Sequence, residues 1–207
     1  MALPPITGRL WKRAEPDILW MTLVVGTLLL ALIVRGLALY SLSQTEYFRT
    51  LIIDEQIYHT WAAELATGTH TSTSAYKVSP LPAYVVGFLY KVFHPDPVYF
   101  RLLNICLGTV TCGVLYLLGK EMANRQVGLC SAFLAALYHP FILYSIVPLK
   151  TALEVFLFSL TALLLARALT GNRPWCILLL GLATGLMIAT REKTIVFPVI
   201  SLSLLLW

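Results

Sequence analysis

The chain contains a succession of long apolar segments, and these constrain its fold more than any other feature. The first, 18–42, includes a single charged side chain, that of Arg35. A helix of about 20 apolar residues is long enough to cross the hydrocarbon core of a bilayer. The composition agrees, because 58% of the residues are hydrophobic and 12% are charged, with a mean hydropathy of +0.80. We therefore predict an all-α polytopic membrane protein and exclude a water-soluble domain.

The apolar segments predict about six transmembrane helices. They span 18–42, 98–119, 127–147, 152–169, 175–190 and 194–207. We expect Arg35, near one end of the first helix, to snorkel towards the membrane surface. The last segment has no polar flank after it, so we interpret residues 1–207 as the N-terminal part of a longer transmembrane domain.

The basic residues predict the orientation of the helices. Arg9, Lys12 and Arg13 precede the first helix, and lysine and arginine concentrate in short cytoplasmic loops. The N-terminus is therefore predicted to be cytoplasmic, and the segment 43–97 external. Several cations also fall on the external side, which is typical of a site for an anionic ligand, although lipid headgroups or solvent explain each one singly. The net charge of +5 does not indicate nucleic-acid binding, because the basic residues are scattered between apolar segments.

The external segment is predicted to contain two short helices at the membrane interface. The first spans 54–67, since Ile57, Trp61 and Leu65 recur on one helical face and a glycine follows as a helix stop. The second spans 83–93 and is too short to cross the membrane.

Two adjacent acids, Asp54 and Glu55, begin the first of these helices. Carboxylates near hydrocarbon are costly unless water, a partner or a reaction accounts for them. Asp54 is a candidate general base; the alternative is a helix cap, because an aspartate before a helix accepts backbone N–H bonds. Glu55 is predicted to support Asp54. Tyr58 lies one helical turn from Asp54 and is a candidate substrate ligand.

Four sequence features follow one another as they do in a known family. They are an external Asp-Glu followed by a tyrosine, Lys77 just ahead of a Pro-x-Pro-x-Tyr element, a helix that opens with Arg-x-x-Asn at 101–104, and a glycine-containing stretch that ends at Arg191. In this order they resemble the GT-C glycosyltransferases. The most similar branch contains the protein O-mannosyltransferases and the aminoarabinose and Rgt-type lipid A or lipopolysaccharide glycosyltransferases. Unlike the aminoarabinose transferases, the chain has no acid before Lys77 and no proline directly after it.

The resemblance implies a reaction and its substrates. A hexosyl or pentosyl group would pass from a polyprenyl-phosphate carrier to a lipid, glycan or protein acceptor on the external face of the membrane. Asp54 would be the general base, and one carboxylate suffices in an inverting reaction because the lipid phosphate leaves without protonation. No cofactor is expected, because the lipid-linked sugar is the donor substrate.

Cations must meet the negative charge of the departing phosphate. The resemblance assigns Lys77 to this role, and Arg101 and Arg191 are further candidates because each lies at the external end of a membrane helix. Each has an ordinary alternative. Lys77 could snorkel at the interface, Arg101 could bond to Asn104, and Arg191 could pair with Glu192.

Two further substrate ligands are candidates. Glu154 lies one turn after Lys150 and is explained by an ordinary ion pair, but a second acid in this loop recurs in GT-C enzymes. Tyr84, together with Phe88 and Tyr99, is predicted to line an apolar groove for the polyprenyl chain. The alternative for these aromatic residues is an interfacial belt.

No metal site is predicted, because the histidines are widely separated and the sequence has no Asp-x-Asp. Two other functions stay open. A transporter fragment would place paired charges deep within its helices. A noncatalytic subunit that binds polyprenyl lipid would leave Asp54 without neighbouring cations.

Overall fold

The computed structural model describes residues 18–69, 78–171 and 174–206, and all regular secondary structure within them is helical. Within them lie nine α-helices: α1 (Ile18–Ser43), α2 (Asp54–Thr67), α3 (Pro80–Val92), α4 (Pro97–Met122), α5 (Arg125–Leu137), α6 (His139–Ile146), α7 (Thr151–Thr170), α8 (Pro174–Thr190) and α9 (Val196–Leu206). Short 3-10 turns occur at Glu46–Phe48 and Glu192–Ile195. The all-α prediction is confirmed.

Among the described helices, α1, α4 and α7 are long and apolar enough to cross a membrane. The pair α5 and α6 passes the same test together, with a bend of 55° between them. Helix α8 is apolar but shorter. The structure thus supports three or four spans, and the number six stays a prediction.

The segment 127–147, predicted as one membrane helix, is divided between α5 and α6. The two helices meet at Tyr138, which has an extended backbone with φ −67° and ψ 111°. Pro140, in the first turn of α6, has no N–H to donate to the carbonyl of Ala136 four residues earlier. The division therefore leaves free carbonyls at the end of α5.

Arg35 of α1 supplies donors to these carbonyls. Its side chain is 0% exposed. Nη1 donates to the Ala136 carbonyl at 3.3 Å and to the Ala31 carbonyl at 3.0 Å, while Nη2 donates to the Ala135 carbonyl at 3.4 Å. Nε donates to Ser145 Oγ of α6 at 3.3 Å. The expectation that Arg35 snorkels is wrong, because the divided helix offers it acceptors inside the bundle.

Helix α4 packs against the Arg35 side chain and α6 at Gly108. A Cβ at this position would lie 2.9 Å from Arg35 Nε and would also collide with Ser145 Oγ. The absence of a side chain therefore lets α4 pack directly against the arginine and α6.

Helices α2 and α3 pack against each other beside the start of α4. Their shared core contains Tyr58, Trp61, Val86, Tyr90 and, from α4, Phe100. Helix α2 coincides with the predicted 54–67 and ends at Gly68, which has a φ of 72°. Its buried face differs from the prediction by one position, because Tyr58 is buried and Ile57 is 39% exposed. We call this part of the molecule the α2–α3 end.

Candidate active site

Asp54 and Glu55 occupy the first turn of α2. The residue before them, Ile53, has a φ of 41°, a conformation that is strained for a β-branched residue. Ile53 is the N-cap and makes no side-chain cap hydrogen bond, whereas Glu55 Oε2 accepts the Ile52 N–H at 3.3 Å. Asp54 is exposed and makes no ion pair with any residue in the described ranges. Its carboxylate is therefore open to solvent, and the cap alternative is wrong.

The Tyr58 hydroxyl lies at the centre of the candidate site. The side chain is 1% exposed, and the hydroxyl has no hydrogen-bond partner among the described residues. Burial, and then the negative charges of Asp54 and Glu154, raise the pKa of Tyr58 to about 12, while the nearby Ser79 hydroxyl opposes part of this rise. The phenol is therefore protonated at neutral pH and faces groups from three separate segments.

Lys150 connects the start of α7 to the start of α3. Its Nζ donates to Ser79 Oγ at 3.0 Å, and Ser79 is a buried N-cap of α3. Lys150 makes no ion pair with Glu154, so the predicted local pair is wrong. The lysine instead faces the loop that follows Lys77.

Glu154 pairs with Arg191 across α7 and the end of α8. Arg191 Nη1 lies 2.7 Å from Glu154 Oε1, and the arginine side chain is 49% exposed. The hydrogen bond and the charge of Glu154 raise the pKa of Arg191. The local alternative, a pair between Arg191 and Glu192, is not formed.

These contacts gather side chains that are far apart in the sequence. We call the group the acid–cation cluster, and its members are Asp54, Tyr58, Ser79, Lys150, Glu154 and Arg191. It combines an open carboxylate that can accept a proton, cations that can meet an anion, and a phenol that can donate a hydrogen bond. General acid–base catalysis and the binding of a charged leaving group need groups of these kinds.

Arg101 lies in the interior and outside this cluster. It is 2% exposed, its Nη2 donates to the Phe48 carbonyl at 3.0 Å, and its guanidinium carbon lies 4.3 Å from the centre of the Phe48 ring. Glu55 and Asp96 are acids that face it. Its predicted role as a phosphate ligand stays a prediction, and the alternative bond to Asn104 is not formed.

Lys77 and Tyr84 are the remaining predicted substrate ligands. Lys77 lies outside the described residues. Tyr84 of α3 is 47% exposed and contacts Trp61 edge-on, with ring centres 6.2 Å apart. Phe88, one turn later, is 68% exposed, whereas Tyr99 stacks on Phe93. Tyr84 and Phe88 thus form an aromatic face on α3.

The structure also shows polar residues that the sequence did not single out. Ser79 precedes the proline that begins α3, which is a typical N-cap position, but its bond to Lys150 has no local signal. His59 Nδ1 and the Tyr90 hydroxyl are 2.9 Å apart in a partly buried pair, and burial lowers the pKa of His59. In the part of the chain that the structure describes, no three histidine, cysteine or acidic residues are close enough to hold a metal ion. Metal independence stays a prediction.

Comparison with known protein families gives a match over the second part of the chain. A family model described as dolichyl-phosphate-mannose-protein mannosyltransferase matches residues 77–207. This range contains Ser79, Lys150, Glu154 and Arg191, and it begins after Asp54. No curated protein and no solved structure matches the chain significantly.

Proposed function

The chain belongs to the dolichyl-phosphate-mannose-protein mannosyltransferase family, which is of GT-C type, and on this premise we propose a specific reaction for it. It transfers a hexosyl or pentosyl group from a polyprenyl-phosphate donor to a hydroxyl of a glycan, lipid or protein. The α2–α3 end lies on the external or periplasmic face of the plasma membrane, and the N-terminus is cytoplasmic.

One observation carries this proposal: an open carboxylate and a protonated phenol on α2, one cation before α7 and another after α8, which are groups from three segments, converge on one place. Asp54 accepts the proton of the acceptor hydroxyl as its oxygen attacks the anomeric carbon of the sugar. The bond between that carbon and the phosphate oxygen breaks, and the lipid phosphate leaves with the electron pair. Attack from the side opposite the leaving group inverts the anomeric configuration.

The cations balance the charge that develops on the phosphate. Lys77 is the first of these in our proposal, and Lys150 and Arg191 are the two cations of the cluster, on the side of α7 and α8. Donors fixed in place before the reaction stabilise such charge more than mobile ones do, because they need no reorganisation. The Tyr58 hydroxyl, which is buried and faces Asp54, Ser79 and Glu154, is the proposed hydrogen-bond donor to a substrate oxygen.

The aromatic face of α3 is the proposed contact for the polyprenyl chain. Tyr84 and Phe88 are exposed one turn apart on a helix whose other face is buried against α2. The sequence places Lys77 just before this helix, so a lipid lying along the face would bring its phosphate towards the cluster.

The test is Asp54→Asn in the intact protein, with a radiolabelled polyprenyl-phosphate hexose as the donor. The amide keeps the size of the side chain and loses its basicity, so transfer should fall by roughly 100- to 10,000-fold. Glu46→Gln is the matched control, because Glu46 is an exposed acid of the same segment and should leave transfer unchanged. Unchanged turnover of Asp54→Asn would remove Asp54 as the base.

One observation favours a noncatalytic role. Asp54 has no cation partner among the described residues, as expected for a subunit that only binds polyprenyl lipid. A wild-type protein that binds the donor but transfers no sugar to any acceptor would support this role. Membership of a glycosyltransferase family argues for transfer.

A further inference from the structure

Asn104 of α4 is completely buried and bonds to a segment that carries part of the cluster. Its side chain is 0% exposed, and Nδ2 donates to the Val147 carbonyl at 2.8 Å and to the Leu149 carbonyl at 3.0 Å. An amide nitrogen has two N–H groups, so both are used. Two carbonyl acceptors also fix which way the amide faces, since the amide oxygen would be repelled by both.

The acceptors lie in the link between α6 and α7, which is not helical. Val147 has a φ of −101° and a ψ of 143°, and the Leu149 N–H bonds back to the Val147 carbonyl at 2.9 Å. Lys150 directly follows Leu149. Glu154 lies one helical turn later, and its backbone N–H donates a hydrogen bond to the Lys150 carbonyl. The positions of both charged side chains therefore depend on where this link is held.

Arg101 makes an equivalent contact on the other side of the site. It lies one turn before Asn104 on α4, and its Nη2 donates to the carbonyl of Phe48, in the segment that leads to Asp54. The start of α4 thus binds two segments of the site. Arg101 bonds to the segment that leads to Asp54, and Asn104 bonds to the link that leads to Glu154.

We propose that Asn104 is a positioning residue whose two hydrogen bonds hold the 147–149 link so that Lys150 reaches Ser79 and Glu154 faces Tyr58. This inference rests on the proposed function, because it takes the acid–cation cluster as the place of sugar transfer. Asn104 touches no substrate in this role. It acts through the backbone of the link, and a small displacement of groups that bind a reacting molecule is enough to slow a reaction greatly.

The decisive variants are Asn104→Asp and Asn104→Ala. Aspartate has the shape of asparagine but presents oxygens to the two carbonyls, whereas alanine only removes the donors. A donor role therefore predicts that kcat falls by about 100-fold in Asn104→Asp and by about 10-fold in Asn104→Ala. A packing role predicts the reverse order, with aspartate near wild type and alanine worse, and that order would overturn the proposal.

Acid pH supplies a second readout. A protonated carboxyl can donate one hydrogen bond. The ratio of Asn104→Asp activity to wild-type activity should therefore rise as the pH falls, and a constant ratio would argue against the donor role. Thr111→Val is the matched control, because Thr111 is buried on the same helix and, among the described residues, its hydroxyl bonds only to the Leu107 carbonyl of that helix.

Hydrogen exchange separates this inference from the proposed function. In lipid nanodiscs, the peptide covering 147–154 should exchange several-fold faster in Asn104→Asp than in wild type, and at the wild-type rate in Thr111→Val. Equal exchange in Asn104→Asp, or faster exchange with wild-type kcat, would overturn the inference. A wild-type protein without transferase activity would overturn the proposed function, while the exchange rates would still show whether Asn104 holds the link.

Discussion

Two arginines in this molecule occupy contrasting surroundings. Arg35 is 0% exposed and bonds chiefly to backbone carbonyls, whereas Arg191 is 49% exposed and bonds to one carboxylate, that of Glu154. Two of the carbonyls that Arg35 binds, those of Ala135 and Ala136, end α5 and receive no other backbone N–H within the described ranges. The partner of Arg191 is charged and reaches solvent, so an anionic ligand can compete with it. An enclosed cation thus serves the fold, and an exposed one is available for binding.

The largest effect should come from removing the enclosed cation. Arg35→Leu leaves the carbonyls of Ala135 and Ala136 without donors, and each buried polar group without a partner costs about 1–3 kcal/mol. The free energy of unfolding should fall by roughly 2–6 kcal/mol, measured by thermal unfolding in detergent. Arg191→Leu is the matched control and should change it by less than about 1 kcal/mol. Equal stabilities for the two variants would break the comparison.

Lys77 is a third cation to compare with Arg35 and Arg191, because we assign it to the donor phosphate. Lys77→Ala should slow single-turnover transfer by about 100- to 1,000-fold and weaken donor binding, because a contact to developing charge is lost. Lys77→Arg should recover part of the rate, since the charge survives in a different geometry. Lys91→Ala is the control, because Lys91 is an exposed residue in the last turn of α3. If Lys91→Ala is equally damaging, the phosphate is bound elsewhere.

The pair of Arg191 and Glu154 tests whether an exposed cation is exchangeable. Arg191→Gln should weaken donor affinity by roughly 5- to 10-fold, which corresponds to about 1 kcal/mol. Glu154→Gln should leave affinity unchanged or raise it, because the arginine loses a competing partner. Equilibrium binding at low and high salt measures both, and the effect of Arg191→Gln should shrink as salt increases. A loss of donor affinity in Glu154→Gln would contradict exchange between the carboxylate and the phosphate.

Tyr58→Phe should have the smallest effect on the fold. The hydroxyl is buried and has no partner among the described residues, so its removal should leave the free energy of unfolding unchanged or raise it by about 1 kcal/mol. Transfer should nevertheless decrease, because the proposed donor to the substrate is lost. A variant that is less stable than wild type would show that the hydroxyl is already satisfied in the free protein.

Local structure was largely accessible from the sequence. Helix α2 has the predicted bounds because its signals are near in the chain, namely acids in its first turn and Gly68 after its last. The division between α5 and α6 is only partly predictable from local sequence. Pro140 marks it, but the sequence does not show that Arg35 fills it, since the two are brought together only by the packing of α1 against α5 and α6.

The candidate site was predicted as single residues rather than as an arrangement. The sequence predicts both Glu154 and Arg191 as ligands but offers only their sequence neighbours as partners, because spacing along a helix reveals only local pairs. The observed partners are set by the antiparallel packing of α7 and α8. Asn104 was visible only as part of Arg-x-x-Asn, a spacing that places two side chains on one face without naming what they contact.

The divided helix bears on the order in which the bundle is assembled in the membrane. Arg35 and the Ala135 carbonyl are separated by 100 positions in the chain, so α1 is synthesised well before α5 and α6. A free carbonyl in hydrocarbon costs several kcal/mol, and Pro140 denies Ala136 its usual donor even in a straight helix. We therefore expect α6 to settle into its final position once α1 lies beside it, because Arg35 then supplies the donors that these carbonyls lack.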